Sequence, residues 1–168
     1  MKEIIINEDK LTEEEVNGVV KRAKLVVENS KGELLLVKCH GNCYLIGGHV
    51  DGEEEDNDTL IREIKEEAGI DYDPKVEEPF YSIKYYCRDY PEKGKNTKYI
   101  SNYYAVKYDL EPNTESVHLT DDEAEGNFRL EYIAKDKILD EMNEILKTCT
   151  RKNVVKDTIA VIEEYLKQ

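Results

Sequence analysis

Residues Gly47–Ile70 read GGHVDGEEEDNDTLIREIKEEAGI, and the rest of the chain is organised around them. Within this stretch, Asp56–Ala68 has the pattern of a short helix, with Asp56 placed as N-cap and Gly69 as the C-terminal stop. At about 100° per residue, Leu60, Ile61, Ile64 and Ala68 fall on one side. Glu63, Glu66 and Glu67 fall on another, as i, i+3 and i+4 neighbours. Carboxylates this close repel one another, so the pattern requires positive charge among them. Arg62 and Lys65 supply part of it. A hard divalent cation supplies more, because Mg²⁺ takes carboxylate oxygens and keeps waters and substrate phosphates as its other ligands. The bland alternative is a solvated acidic helix face with no ligand.

Counted from Gly48, the stretch fits G-x5-E-x7-R-E-U-x-E-E-x-G-U, where U is a bulky apolar residue. Gly48, Glu54, Arg62, Glu63, Ile64, Glu66, Glu67, Gly69 and Ile70 fill every specified position. This resembles the Nudix box, the signature of the Nudix hydrolase family. The resemblance implies an α/β fold, the α/β/α sandwich in which a mixed β-sheet lies between helices. It also implies hydrolysis of a nucleoside diphosphate linked to another moiety, with Mg²⁺ or Mn²⁺ held by Glu63, Glu66 and Glu67 and contacted by Glu54. In the family the box arginine orients a neighbouring carboxylate, a role carried over here to Arg62. Glu63 is a candidate base for the attacking water. The family often draws a further carboxylate from a later loop, represented here by Asp121, Asp122, Glu123 and Glu125.

Composition bounds the remaining classes. The 168 residues suggest one domain with a real core, spanning the whole chain. A net charge of −14 excludes bulk attraction to a nucleic-acid polymer or an anionic membrane. Asp51–Asp73 alone carries eleven acidic residues against Arg62 and Lys65. The opening MKEIIINEDK returns to charge after a short apolar run, and no stretch approaches a membrane span, so a cytoplasmic protein is expected. Cys39, His40 and Cys43 form C-H-x2-C, which lacks a fourth ligand and the usual zinc spacing; reduced thiols are expected for these and for Cys87 and Cys149.

In chain order, Met1–Asn7 is β-prone, and Thr12 with Glu15 forms a capping-box pattern before Val16. Arg22–Glu28 and Glu33–Cys39 read as a hairpin around Asn29-Ser30-Lys31-Gly32. Tyr44–Ile46 is a short strand running into Gly47 and Gly48, where paired glycines let backbone turn and approach a substrate. Phe80–Tyr90 and Lys98–Leu110 read as two antiparallel strands. They are rich in tyrosine and locally basic, with six Lys or Arg against three acids from Tyr81 to Leu110. Lys84 and Arg88, four apart on one strand face, are candidate phosphate contacts, and Tyr86 a candidate substrate contact. Phe128–Ile133 is a further strand. Ala134–Cys149 and Asn153–Lys167 are amphipathic helices, the second an extra C-terminal helix that packs on the domain or on a second subunit of a homodimer.

The substrate stays open among nucleoside triphosphates, dinucleoside polyphosphates and nucleotide sugars. The Pro that ADP-ribose members often carry fifteen residues past the box is Tyr85 here, whereas Tyr86 matches the Tyr of diadenosine polyphosphate members. Two rival readings remain from other classes. One is a non-catalytic nucleotide-binding Nudix sensor, which usually loses box glutamates. The other is an isopentenyl diphosphate isomerase, whose reactive Cys has only Cys43 as a counterpart, in surroundings that do not match.

Overall fold

A computed structural model describes all residues from Met1 to Gln168. Its strands are β1 (Lys2–Ile6), β2 (Gly18–Glu28), β3 (Glu33–Cys39), β4 (Asn42–Tyr44), β5 (Ile46–His49), β6 (Tyr81–Cys87), β7 (Thr97–Lys107) and β8 (Arg129–Ala134). Its helices are α1 (Asp56–Ala68), α2 (Asp121–Glu125), α3 (Ile138–Thr148) and α4 (Lys152–Tyr165), with a 3₁₀ turn at Glu13–Glu15. The strands form one mixed sheet in the order β1-β6-β7-β2-β3-β4, with β5 on β2 and β8 on β3. β1 with β6 and β2 with β7 are the parallel pairs.

The sheet is covered on both faces, and strand alternation decides which residue goes where. Ala23, Leu25, Val27, Leu35 and Val37 pack against Leu60, Ile64 and Ala68 of α1. Val26, Leu34 and Leu36 pack on the other side with Ile138 and Met142 of α3 and Val155, Ile159, Val161 and Ile162 of α4. The run ELLLVKC is apolar at successive positions because β3 is buried on both faces. The C-terminal helix therefore lies on the sheet of its own chain. Its start is fixed by Asn42, whose Oδ1 accepts the Arg151 N–H at 2.8 Å and whose Nδ2 donates to Thr150 Oγ1 at 3.1 Å.

Three local expectations change. The N-cap of α1 is Glu55, and Asp56 is the first helical residue. Asp56 instead accepts from Tyr104 Oη at 2.6 Å and Asn102 Nδ2 at 2.8 Å, tying the helix start to β7. The strand expected at Tyr44–Ile46 divides at Leu45, because β4 pairs with β3 while β5 crosses to β2. The acidic loop before β8 contains the short helix α2, capped by Thr120, whose Oγ accepts the Glu123 N–H at 3.3 Å.

Candidate functional site

β2 meets β3 only at Glu28 and Leu34, next to their turn. Further along, residues Arg22–Leu25 are paired by β5 instead. A cleft of about 530 Å³ lies against this region. Arg22 and Lys24 of β2 line it, as do Ser101 and Tyr103, their register partners on β7. Arg151, Val154, Asp157 and Thr158 come from α4 or the residue before it, and Glu63, Glu66 and Glu67 from α1.

The glycine pair lets carboxylates from α1 reach this cleft. A Cβ on Gly48 would fall 2.0 Å from Glu63 Oε1, so only a residue without a side chain leaves room for the glutamate as it stands. Gly47 has φ +117°, and a Cβ there would lie 2.3 Å from the Ala23 carbonyl of the neighbouring strand. The Gly47 N–H donates to Glu67 Oε2 at 3.1 Å.

Arg62 anchors the cluster. Its Nε donates to Glu54 Oε1 at 3.0 Å and its Nη2 to Glu54 Oε2 at 3.0 Å, a two-point grip. Nη1 donates to Glu63 Oε1 at 2.8 Å and lies 3.5 Å from Glu66, while Nη2 also reaches the His49 carbonyl at 2.9 Å. The guanidinium, helped by the Thr59 hydroxyl, holds the Glu54 carboxyl down at about 2. Glu63 is shifted the other way, raised by burial against the pull of Arg62 and Lys24. Burial raises Glu67 more strongly and pushes the Lys24 ammonium down, each charge offsetting part of the other's desolvation.

Of the residues singled out from sequence, Gly47, Gly48, Arg62, Glu63, Glu66, Glu67 and Glu123 line the one cleft. Glu54 stands behind Arg62, its carboxylate taken up by the guanidinium, by Thr59 Oγ at 2.8 Å and by the Asp51 N–H at 3.2 Å. Asp122 sits beside His40, whose Nε2 is 3.3 Å from Oδ1.

The basic hairpin is not brought to the cleft. Lys84 pairs with Glu3, Arg88 with Glu15 at 3.2 Å, and the Tyr86 hydroxyl donates to Glu13, which also takes Lys98 at 2.6 Å. The physical reason is charge: three glutamates of the N-terminal segment neutralise that surface. The hairpin reaches the cleft through Ser101 and Tyr103, on the other strand. Sequence reasoning missed Arg22, Lys24, Arg151 and Asp157. For the first two a signal existed, since Arg22 and Lys24 alternate with the core residues Ala23 and Leu25.

The carboxylates suit a hard cation in donor chemistry. They are oxygen donors facing one cleft, and buried Glu67 has a single hydrogen bond, from Gly47. No three acidic, His or Cys side chains stand at ligating spacing, because Arg62 holds Glu63 and the Gly47 N–H holds Glu67. The four cysteines are free, and Cys43 is fully buried with its thiol pushed up to about 12, which removes it as a nucleophile. No helix is long and apolar enough to cross a membrane.

A NUDIX domain family model matches residues 20–149. No curated protein matches the chain. Among solved structures, a MutT protein from Methanosarcina mazei Go1 is 19% identical, with 90% of this chain and 98% of that one covered at a TM-score of 0.50. A MutT NUDIX hydrolase from Burkholderia pseudomallei is 21% identical, with 71% and 86% covered at 0.52. A MutT protein from Bacillus halodurans is 22% identical, with 72% of each chain covered at 0.50. At these identities the likeness is one of fold.

Proposed function

The chain belongs to the NUDIX domain family, and we propose that it hydrolyses the diphosphate linkage of a nucleoside diphosphate derivative with Mg²⁺ or Mn²⁺. The carrying observation is that Glu63, Glu66 and Glu67 meet at one cleft beside the side-chain-free edge of Gly47 and Gly48. These three carboxylates would hold the cation. When bound, it supplies neutralisation of the diphosphate and acidification of water.

The chain's own groups do the rest. Gly48 leaves room for the Glu63 carboxylate, and Gly47 for the β2 backbone beside it. Arg62 fixes Glu63 against Glu54, so the carboxylate does not swing away. Water attacks one phosphorus, the bridging P–O bond breaks, and the leaving phosphate carries off the bridging oxygen. A carboxylate takes the water's proton. Glu63 is the first candidate for it. Of the four acids in the Asp121–Glu125 stretch, only Glu123 lines the cleft, and its Oε2 is held by the Thr120 N–H at 2.8 Å.

Phosphate or pyrophosphate release tests this reading, measured on nucleoside triphosphates, dinucleoside polyphosphates and nucleotide sugars with Mg²⁺ and with chelator. Turnover that needs the cation supports it. Nucleotide binding without turnover on any compound would favour a sensor instead.

A further inference from the structure

The chain has 38 acidic residues and five arginines, and an arginine surrounded by so many carboxylates usually finds one. Arg62, Arg88 and Arg129 each do, at 3.0, 3.2 and 3.8 Å. Arg22 and Arg151 have no carboxylate within 4 Å, and both line the cleft.

Arg22 is held ready by neutral groups. Its guanidinium lies 5.5 Å from the centre of the Tyr99 ring, and its Nε donates to His49 Nε2 at 3.3 Å. Burial and the nearby cations push the His49 imidazole down, favouring the neutral ring, which has one nitrogen free to accept. The two terminal nitrogens of Arg22 make no hydrogen bond within the protein. Arg151 is placed by its backbone, through Asn42, at the turn between α3 and α4. It falls just beyond residues 20–149, the span matched by the family model. Neither guanidinium is used by the acidic cluster, which Arg62 and Lys24 already serve.

Building on the hydrolase reading above, we propose that Arg22 and Arg151 form a two-armed clamp for a phosphate beyond the pair flanking the scissile bond. A planar guanidinium with free terminal nitrogens matches two phosphate oxygens at once. A cation held by Glu63, Glu66 and Glu67 would neutralise the pair being cleaved. Two further positive charges along the same cleft suit one more phosphate. The clamp selects nucleoside triphosphates and dinucleoside polyphosphates over nucleotide sugars, which have only two phosphates.

Binding of non-hydrolysable probes in Mg²⁺ buffer tests the clamp without relying on turnover. The probes are methylenediphosphonate and its three-phosphorus, bis-methylene homologue, measured by calorimetry. The wild-type protein is expected to bind the longer probe about tenfold more tightly. Arg22→Ala and Arg151→Ala should each bring that ratio close to one and leave the two-phosphorus probe unchanged. Arg22→Lys and Arg151→Lys keep the charge, lose the two-point geometry and should fall between; they carry the test if an alanine variant fails to fold by circular dichroism. Equal affinity of the wild type for both probes would overturn the clamp, as would variants that weaken both probes alike. Absence of turnover across the nucleotide panel, with the probe ratio intact, would count against the hydrolase reading and leave the phosphate clamp standing.

Discussion

Glu67 and Lys24 converge on the backbone of a single residue, Gly47: Glu67 accepts its N–H at 3.1 Å, and Lys24 donates to its carbonyl. The two come from α1 and β2, on different layers of the fold. Each is a charge moved away from water, and each reduces the other's cost. Lys24 is the cation that offsets the burial of this carboxylate, since Arg62 is occupied with Glu54 and Glu63.

Lys24→Met should therefore destabilise the metal-free protein by about 3 kcal/mol, the scale for removing one member of a buried pair. Added Mg²⁺ should restore more of the loss than it adds to the wild type, because it replaces the missing charge. Thermal melts of both proteins, with Mg²⁺ and with chelator, measure the difference. An identical Mg²⁺ shift in the two would mean that Glu67 does not contact the cation.

Glu66 is the most exposed of the three box carboxylates, at 44% of its side-chain surface, and its nearest cation is 3.5 Å away. Glu66→Gln should change stability by less than about 0.5 kcal/mol. It should lower kcat by roughly 10²-fold, as expected when charge stabilising the transition state is lost. Unaltered stability with near-normal turnover would place the cation elsewhere.

Lys84→Met and Arg88→Met are expected to leave KM and kcat within about twofold, since both side chains are ion-paired to the N-terminal segment and stand away from the cleft. Partly and fully exposed pairs of this kind contribute about 0–1 kcal/mol, so stability should barely move. Steady-state kinetics on the best substrate decides the matter. A large rise in KM for either variant would show that the N-terminal glutamates release the hairpin when substrate binds.

What the sequence made legible was local. The α1 stripe, its Gly69 stop and the three-carboxylate face all follow from spacing within a dozen residues, and the structure keeps them together. The hairpin expectation misplaced Lys84, Tyr86 and Arg88 because their partners Glu3, Glu13 and Glu15 lie more than seventy positions away in the chain. No periodicity reports such a contact. The same reason hid Arg151 and Asp157, which reach the cleft only because α4 folds back onto the sheet. Asp56 looked like a cap by residue type, and the hydroxyl of Tyr104 drew it to another task.

The Glu54–Arg62 grip gives a pH signature. Glu54 titrates near 2 in the folded chain against an ordinary value of 4.5, so the folded form binds fewer protons between those values. Stability from this contact is complete above 4.5 and is lost as pH falls toward 2. Glu54→Gln should lower the melting temperature at pH 7, on the scale of about 1–3 kcal/mol for hydrogen bonds to a charged group. The gap to wild type should close as the pH is taken from 4.5 down to 2.5. A gap that stayed constant across that range would show that Glu54 contributes by packing and not by charge.

The two glycines beside the carboxylates separate fold from chemistry. Gly47→Ala puts a side chain on backbone with φ +117° and brings Cβ to 2.3 Å from the Ala23 carbonyl, an atom fixed in the β2 ladder. Strand pairing must give way, and the variant should lose at least about 2 kcal/mol of stability or fail to fold. At Gly48 no positive φ is required, and the obstacle is the end of a flexible side chain, Glu63. Gly48→Ala should therefore fold, with a melting temperature close to wild type. Its methyl group displaces the Glu63 carboxylate from Arg62, so turnover should fall by about tenfold or more even though no charged group has been removed. Melting curves and kcat for the two variants, measured side by side, give opposite rankings if this account holds. A Gly48→Ala protein with full activity would mean that the position of Glu63 beside Arg62 is not the one used in the reaction.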